Sequence, residues 1–192
     1  MSFDLARALR RIQPQRAVNA ICHRPFDALP TVTSPVAAGT DVLLDTCVYV
    51  DVSQGRVPAS VGALLKTRLV NHSTICLAEM THLFGRLDPA HTGTTGVLHT
   101  IQRVIEAVPA HRLSSPSDRA MGEAGMLAGL ASRLLGIGHS ELPSLLNDAS
   151  LYLQAVERGW TLLTRNTRDF DYFDQLLPAN KVLFYQRPES KC

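Results

Sequence analysis

The sequence shows almost no excess of charge of either sign. It contains 19 Lys and Arg residues and 17 Asp and Glu residues, which gives a formal net charge of +2. Because proteins that bind nucleic acid through their overall charge are strongly basic, a polyanion would have to be bound here by a local patch or by a metal ion. The apolar runs are also far shorter than the roughly 20 residues that a membrane-spanning helix needs. We therefore expect no membrane partner.

Cysteine is scarce, and its spacing matches no metal-binding signature. None of the four cysteines is part of a Cys-x-x-Cys pair, and the N-terminal segment lacks the apolar core of a signal peptide. Reduced thiols are typical of cytoplasmic proteins, in which disulfides are rare. We therefore predict a cytoplasmic protein whose thiols are reduced and packed in the core. These thiols are Cys22, Cys47, Cys76 and Cys192.

Length and composition predict one domain with an appendage. The chain has 192 residues, of which 45% are apolar, and this is enough for a substantial core. Residues 1–40 are interpreted as an N-terminal arm with a short basic helix at 3–12 and a proline-containing segment. Residues 41–187 form the domain, and residues 188–192 form a tail. The arm either packs on the domain or contacts nucleic acid or a partner through its arginines, which are Arg7, Arg10, Arg11 and Arg16.

Within residues 41–187, apolar runs with the character of strands alternate with segments of helical periodicity. This alternation is typical of a mainly parallel sheet that is covered by helices on both faces, so we predict a three-layer α/β/α fold. The predicted strands are 42–44, 73–77, 111–113, 160–164 and 181–185, and the predicted helices are 58–70, 78–87, 95–108, 114–136 and 147–158.

Acidic residues recur where this sheet would present its carboxyl edge, which is where open parallel sheets bind ligands. Asp45 follows the first strand, and Glu79 lies two residues after the second. Asp148 is at the start of a predicted helix, and Asp169 and Asp171 follow the strand 160–164. Four segments of the chain therefore deliver a carboxylate to the same edge.

Each acid also has a purely structural interpretation. Asp45 could cap a helix, Glu79 and Asp148 could complement helix dipoles, and Asp169 could form a turn. Together, however, several carboxylates in apolar surroundings repel one another unless a cation lies among them. An all-oxygen cluster of this kind suits Mg²⁺ or Mn²⁺.

The order of these motifs resembles a PIN domain, and more narrowly the VapC-type toxin ribonucleases of type II toxin–antitoxin systems. The resemblance covers roughly residues 41–186. It rests on the Asp-Thr pair at 45 and 46 and on the stretches STICLAEMTHLFG, NDASLYLQAVERG and LLTRNTRDF. The chain departs from the family at Cys47, where a small polar residue is common, and in the length of its N-terminal arm.

The resemblance implies a set of site residues. Asp45, Glu79, Asp148 and Asp169 match the acidic quartet of the family, and Asp45 and Asp148 are expected to bind the metal directly. Thr46 matches the hydroxyl beside the first acid, and Asn166 matches the polar neighbour of the fourth. Asp171 and Asn166 are further contenders for the fourth site ligand, because the position of Asn166 is acidic in some relatives. Arg165 and Arg168 either bind substrate phosphates or lie in a solvated loop.

The same resemblance implies an activity and partners. The expected reaction is hydrolysis of an RNA phosphodiester bond with Mg²⁺ or Mn²⁺ as cofactor. The expected partners are the RNA substrate, a small antitoxin protein and a second copy of the chain in a homodimer. The alternative is a non-catalytic PIN-like interaction module whose acids bind a structural metal or an arginine of a partner.

Overall fold

The computed structural model describes residues 3–17, 19–32 and 39–188. Its centre is a five-stranded sheet with the order β3-β2-β1-β4-β5, and every pair of neighbouring strands is parallel. The strands are β1 (Val42–Leu44), β2 (Val70–Ser73), β3 (Leu113–Ser114), β4 (Thr161–Thr164) and β5 (Val182–Phe184).

The central strand β1 is apolar and buried on both faces, as expected for a parallel strand covered by helices. Its residue Leu43 pairs with Asn71 of β2 on one side and with Leu162 of β4 on the other. The strand order runs outward in opposite directions from β1 and β4. The carboxyl ends of these two strands therefore form the switch point at which doubly wound sheets bind ligands.

The helices of the described residues form two packed groups. In one group α1, α7 and α8 all contact α6, and in the other α2, α4 and α5 contact one another. No helix in these ranges has the length and apolar character that a membrane span requires. The helices are α1 (Leu5–Ile12), α2 (Thr46–Ser53), α3 (Ala59–Thr67), α4 (Thr74–Arg86), α5 (Thr94–Glu106), α6 (Asp118–Leu135), α7 (Leu142–Arg158) and α8 (Thr167–Leu176).

The structure corrects the second predicted strand. Residues 74–77 are the first turn of α4, because the Ser73 side chain accepts a hydrogen bond from the backbone N–H of Ile75 and caps the helix. Strand β2 ends at this cap residue, and its first residue, Val70, is where the sequence predicted the end of a helix. The helix predicted at 147–158 also begins earlier, at Leu142, with a proline in its first turn. Asp148 is therefore in the second turn of α7.

Two helices were not predicted from the sequence. The segment of α2 is rich in β-branched residues, which have low helix propensity, and α8 was treated as a loop. Both helices begin within three residues of the end of a strand, β1 or β4, where the chain leaves the parallel sheet to cross its face. This matters because both begin at the carboxyl edge.

The described part of the N-terminal arm packs on the domain. Ala8 and Ile12 of α1 are buried, and α1 lies against α6. Thr31 forms a parallel bridge with Phe184 of β5, which covers that edge of the sheet. Arg11 forms an ion pair with Glu123. The boundary at residue 40 stays a prediction, and residues 33–38 and 189–192 lie outside the described ranges.

The cysteines differ in their surroundings, and the prediction that they all lie in the core is wrong. Cys76 is buried, Cys47 is half-buried and Cys22 is exposed. Cys22, which has few periodic apolar neighbours, belongs to the arm and not to the domain. Cys192 lies outside the described residues. The three described thiols form no disulfide.

A fully buried carboxylate, Asp51 of α2, connects the ends of β4 and β5. It accepts hydrogen bonds from Arg165 (2.9 Å), from the Tyr185 hydroxyl (2.9 Å) and from two nitrogens of Arg187 (2.8 and 2.5 Å). Burial by itself would raise the pKa of Asp51, but the hydrogen bonds from these three side chains outweigh it and lower the pKa. Asp51 is therefore a structural acid that is neutralised by its own partners.

We expect Asp51→Asn to lower the free energy of unfolding by about 3 kcal/mol at pH 7, because it leaves two guanidinium groups without their buried counter-charge. A carboxylate with a lowered folded pKa contributes stability above its unfolded pKa of about 3.9 and loses it as the pH falls through the folded value. The difference between parent and variant should therefore shrink on acidification. Urea titrations at neutral and acidic pH measure both effects, and equal stability at pH 7 would contradict the assignment.

Candidate active site

Asp45 occupies the N-cap position of α2, directly after β1, but its side chain forms no capping hydrogen bond. Its carboxylate accepts hydrogen bonds from the Thr164 hydroxyl (2.5 Å) and the Cys47 thiol (3.0 Å). The residue is only 5% exposed. Burial raises the pKa of Asp45, the two hydrogen bonds oppose this change, and the negative charge of Glu79 adds to it. The capping interpretation therefore does not explain this acid.

Glu79 lies in the second turn of α4 and is held by two neutral donors. The Thr46 hydroxyl donates to one carboxylate oxygen (2.5 Å), and the Asn147 side-chain amide donates to the other (2.9 Å). These donors come from α2 and α7, so Glu79 is fixed between the helices that carry Asp45 and Asp148.

Asp148 of α7 is 9% exposed and shares a donor with Asp169. The Asn166 side-chain amide lies 3.1 Å from an oxygen of Asp148 and 3.0 Å from an oxygen of Asp169. The pKa of Asp148 is raised well above its usual value, first by burial and then by the negative charges of Asp45, Asp169 and Glu79. This mutual influence indicates that the four carboxylates share one region.

Asn166 has a second role, because it is also the N-cap of α8. Its side-chain oxygen accepts a hydrogen bond from the backbone N–H of Asp169 (3.2 Å), while its amide nitrogen donates to the two carboxylates. The direction of the amide is therefore fixed at both ends. One residue begins the helix and positions Asp148 and Asp169.

The structure thus brings the predicted quartet together at the carboxyl edge of β1 and β4, with Thr46 and Asn166 among the acids. Within the described part of the chain, no Lys, Arg or His forms an ion pair with Asp45, Glu79 or Asp148. Their hydrogen-bond donors are all neutral. Buried acids held in this way retain their repulsion and attract a cation.

The donor set is compatible with a hard cation that keeps much of its water shell. In residues 3–17, 19–32 and 39–188, no three His, Cys, Asp or Glu side chains are arranged to hold one metal ion together. Mg²⁺ usually takes only one or two protein carboxylates and completes its sphere with water. Asp45 and Asp148, the two most buried acids of the cluster, could supply these ligands.

Asp171 is not part of this cluster, which corrects its place among the contenders for the fourth acid. Its fully buried carboxylate accepts hydrogen bonds from the backbone N–H (2.8 Å) and side chain (2.5 Å) of Arg24 and from Gln175 (3.0 Å). Two residues along α8 from Asp169, it lies on another side of the helix and binds the arm.

The two predicted substrate-binding arginines are both ion-paired. Arg165 donates to Asp51 through its Nε atom (2.9 Å), and Arg168 donates to the exposed Glu141 (2.8 Å). The Arg168 Nε atom also lies 3.9 Å from Asp169. Arg168 is the more exposed of the two and is closer to the acids.

Sequence reasoning missed the roles of Asn147 and Thr164. The strands that end at Leu44 and Thr164 are predictable, but their register, with Leu44 opposite Leu163, comes from the sheet and makes Asp45 and Thr164 neighbours. Asn147 offers no signal in the sequence, since only the packing of α7 against α4 brings it to Glu79.

No protein-family model and no curated protein matches the sequence. Solved structures do match in three dimensions. VapBC2 from Rickettsia felis, bound to a promoter DNA fragment, matches with a TM-score of 0.51 and 15% identity over 77% of this chain and 100% of that chain. FitAcB from Neisseria gonorrhoeae matches with a TM-score of 0.51 and 20% identity over 75% of this chain and 96% of that chain.

Identities this low establish likeness of fold and nothing more. The five-stranded parallel sheet flanked by helices agrees with the fold expected from the sequence resemblance. The chain therefore shares the overall α/β fold found in the VapBC2 and FitAcB structures.

Proposed function

We propose that this protein is a metal-dependent endoribonuclease and the toxin of a type II toxin–antitoxin pair. The main support is the group of carboxylates that meets at the switch point of the parallel sheet. Among the described side chains, Asp45, Glu79 and Asp148 have no cationic partner. A structural role would favour neutralised acids such as Asp51. Acids that remain unneutralised suit a site completed by a divalent ion and a phosphodiester.

In this proposal, Asp45 and Asp148 hold Mg²⁺ or Mn²⁺. When bound, the ion lowers the pKa of a coordinated water and offsets the charge that develops on the phosphate. Glu79, fixed by Thr46 and Asn147, orients the attacking water and accepts its proton.

The outer part of the site keeps these groups in place. Asn166 holds Asp169 and Asp148 in fixed directions, and Thr164 holds Asp45. Arg168, which is exposed beside Asp169, binds a phosphate of the substrate. RNA is the proposed substrate because of the sequence resemblance, and the cytoplasm is the proposed location because the described thiols are free.

An inhibitory antitoxin is the proposed protein partner, together with a second copy of the chain. The solved VapBC2 and FitAcB neighbours support an antitoxin as partner, whereas the second copy of the chain is proposed from the sequence resemblance. An apolar cleft of about 270 Å³ between α2, α3 and α5 supports a protein contact, and its lining includes Val52, Leu65 and Val104. Leu69, which is 54% exposed, lies between α3 and β2 close in sequence to this lining.

The first test of the proposed activity is Asp148→Asn. Loss of a direct ligand should reduce Mg²⁺-dependent cleavage of single-stranded RNA by more than about 100-fold. Substitution of a residue that only positions a metal ligand already lowers metal affinity or activity by about 10–100-fold. Cleavage is followed on gels with purified protein, and toxicity is followed by growth after induction. The matched control is Asp118→Asn, an exposed acid at the start of α6, which should leave both unchanged.

The outcome separates the enzyme from a non-catalytic module. Cleavage or toxicity that survives in Asp148→Asn would contradict the proposal. Binding of a metal without any cleavage of RNA by the parent protein would favour a non-catalytic module with a structural metal.

The second test uses thermal stability. A ligand that binds only the native state raises the free energy of unfolding by about 2.7 kcal/mol at 100 times its Kd, so Mg²⁺ should raise the unfolding midpoint of the parent. In Asp45→Asn and Asp148→Asn this rise should disappear. In a chelator, Asp148→Asn should be at least as stable as the parent, because an amide keeps the acceptor for Asn166 and removes a buried charge.

A parent protein that is insensitive to both Mg²⁺ and Mn²⁺ would contradict the metal site. Destabilisation of metal-free Asp148→Asn would show that the Asp148 charge is already balanced in the folded chain.

A further inference from the structure

A second cleft lies beside the acidic cluster, between the N-terminal arm and the start of α8. Its volume is about 290 Å³. The loop from β4 to α8 forms one wall, and this loop also carries Asn166 and leads into Asp169. The lining includes His23, Arg24, Phe26, Arg165, Arg168 and Gln186.

The arm is fixed in this position by buried acids of α8. Arg24 binds Asp171 through its backbone N–H and its Nε atom, and it binds Asp174 through Nη2 (2.9 Å). Gln175 donates to the backbone carbonyl of Cys22 (2.9 Å). The wall that the arm contributes to the cleft is therefore part of the folded domain surface.

Two guanidinium groups of the cleft, those of Arg24 and Arg165, are held from behind by acids that do not face solvent, whereas Arg168 pairs with the exposed Glu141. The side chains of Asp171 and Asp51 are 1% and 0% exposed, whereas those of Arg24 and Arg165 are 34% and 37% exposed. The side chain of Arg168 is 57% exposed. The surface of the cleft therefore presents cations and hides most of their counter-charges.

These arginines also keep donors for a further acceptor. Among the described residues, the side chain of Arg165 donates only through Nε, which leaves both terminal nitrogens, and Arg24 leaves Nη1. A guanidinium fixed by a buried carboxylate loses little side-chain entropy when it binds an anion. A phosphate group, which accepts two parallel hydrogen bonds, matches such a fork.

The cleft also has an apolar part. Phe26 and Leu29 of the arm line it, next to the ring of His23, which lies 4.2 Å from the ring of Tyr172 between centroids. Proteins that bind single-stranded nucleic acid combine cations for the backbone with flat side chains for the bases. The bases of a duplex would not reach the apolar part of the cleft, because they are paired and stacked.

We propose that this cleft binds the nucleotides of a single-stranded RNA next to the cleaved bond, so that the N-terminal arm is part of the substrate-binding surface. Arg24, Arg165 and Arg168 bind backbone phosphates, and Phe26 contacts a base. The inference rests on the proposed function, because the path of the RNA strand is defined from the bond that the acidic cluster would cleave.

Photocrosslinking of the intact protein tests the path directly. The full chain carrying Asp148→Asn, which prevents cleavage, is mixed with single-stranded RNA containing 4-thiouridine and irradiated. We expect crosslinked peptides from residues 22–32 of the arm. Crosslinks confined to other surfaces would overturn the inference. Stronger binding of duplex DNA, with the same arm crosslinks, would overturn the assigned substrate class.

The salt dependence of RNA binding tests the cations. Each phosphate contact with a single strand contributes about 0.7 to the slope of log K against log salt. In the Asp148→Asn background, Arg168→Gln should reduce this slope by about 0.7. The double variant Arg24→Gln with Asp171→Asn removes the cation together with its buried counter-charge. It should also reduce the slope by about 0.7. The control is Arg103→Gln on the exposed face of α5, which should leave the slope unchanged.

The possible failures are distinguishable. If the parent cleaves RNA but the arm is not crosslinked and the slopes of both variants match that of the control, the inference fails and the proposed function stands. If the parent neither cleaves nor binds RNA, both fail. Crosslinking needs no substitution in the cleft, so the test remains decisive even if the double variant does not fold.

Discussion

Two buried carboxylates of the same charge, Asp45 and Asp148, are held close together at the carboxyl ends of the central strands. An unpaired buried charge is costly, and a like charge nearby increases the cost. The fold maintains this arrangement with neutral donors. Thr164 holds Asp45, and Asn166 holds Asp148. Asn166 is also the N-cap of α8, so the start of this helix and the charged site depend on each other.

Other buried acids of the chain are neutralised by arginine side chains. Asp51 and Asp171 are at least as buried as Asp45, but each is bound by a guanidinium group, and Glu123 is bound by two arginines. The pKa of Asp51 is lowered, whereas the pKa values of Asp45 and Asp148 are raised. Burial alone therefore does not identify a functional acid in this protein. The absence of a cationic partner, within the described residues, separates the two classes.

The N-terminal arm neutralises buried acids on α8, the helix that also carries one of the acids of the cluster. Its Arg24 neutralises Asp171 and Asp174 on the same helix that presents Asp169 to the cluster. Its residue Thr31 covers the outer edge of the sheet. The arm therefore stabilises α8 and the sheet edge, and it also forms a wall of the cleft that begins beside the cluster.

The sequence alone determined the fold class and placed most of the acids of the candidate site. The alternation of strands and helices specifies a parallel sheet, and an acid that follows a strand must lie at its carboxyl edge, so Asp45 and Asp169 could be placed without coordinates. Only the tertiary structure showed that Asp169 lies in the cluster and Asp171 does not, because both are on one short helix and its rotation is set by packing against α6, α7 and β5. It alone showed Asn147 on Glu79, since contacts between distant helices leave no local pattern. The sequence gives the position of a buried acid along the chain, but the side chains that it contacts are fixed only when the helices and strands pack together.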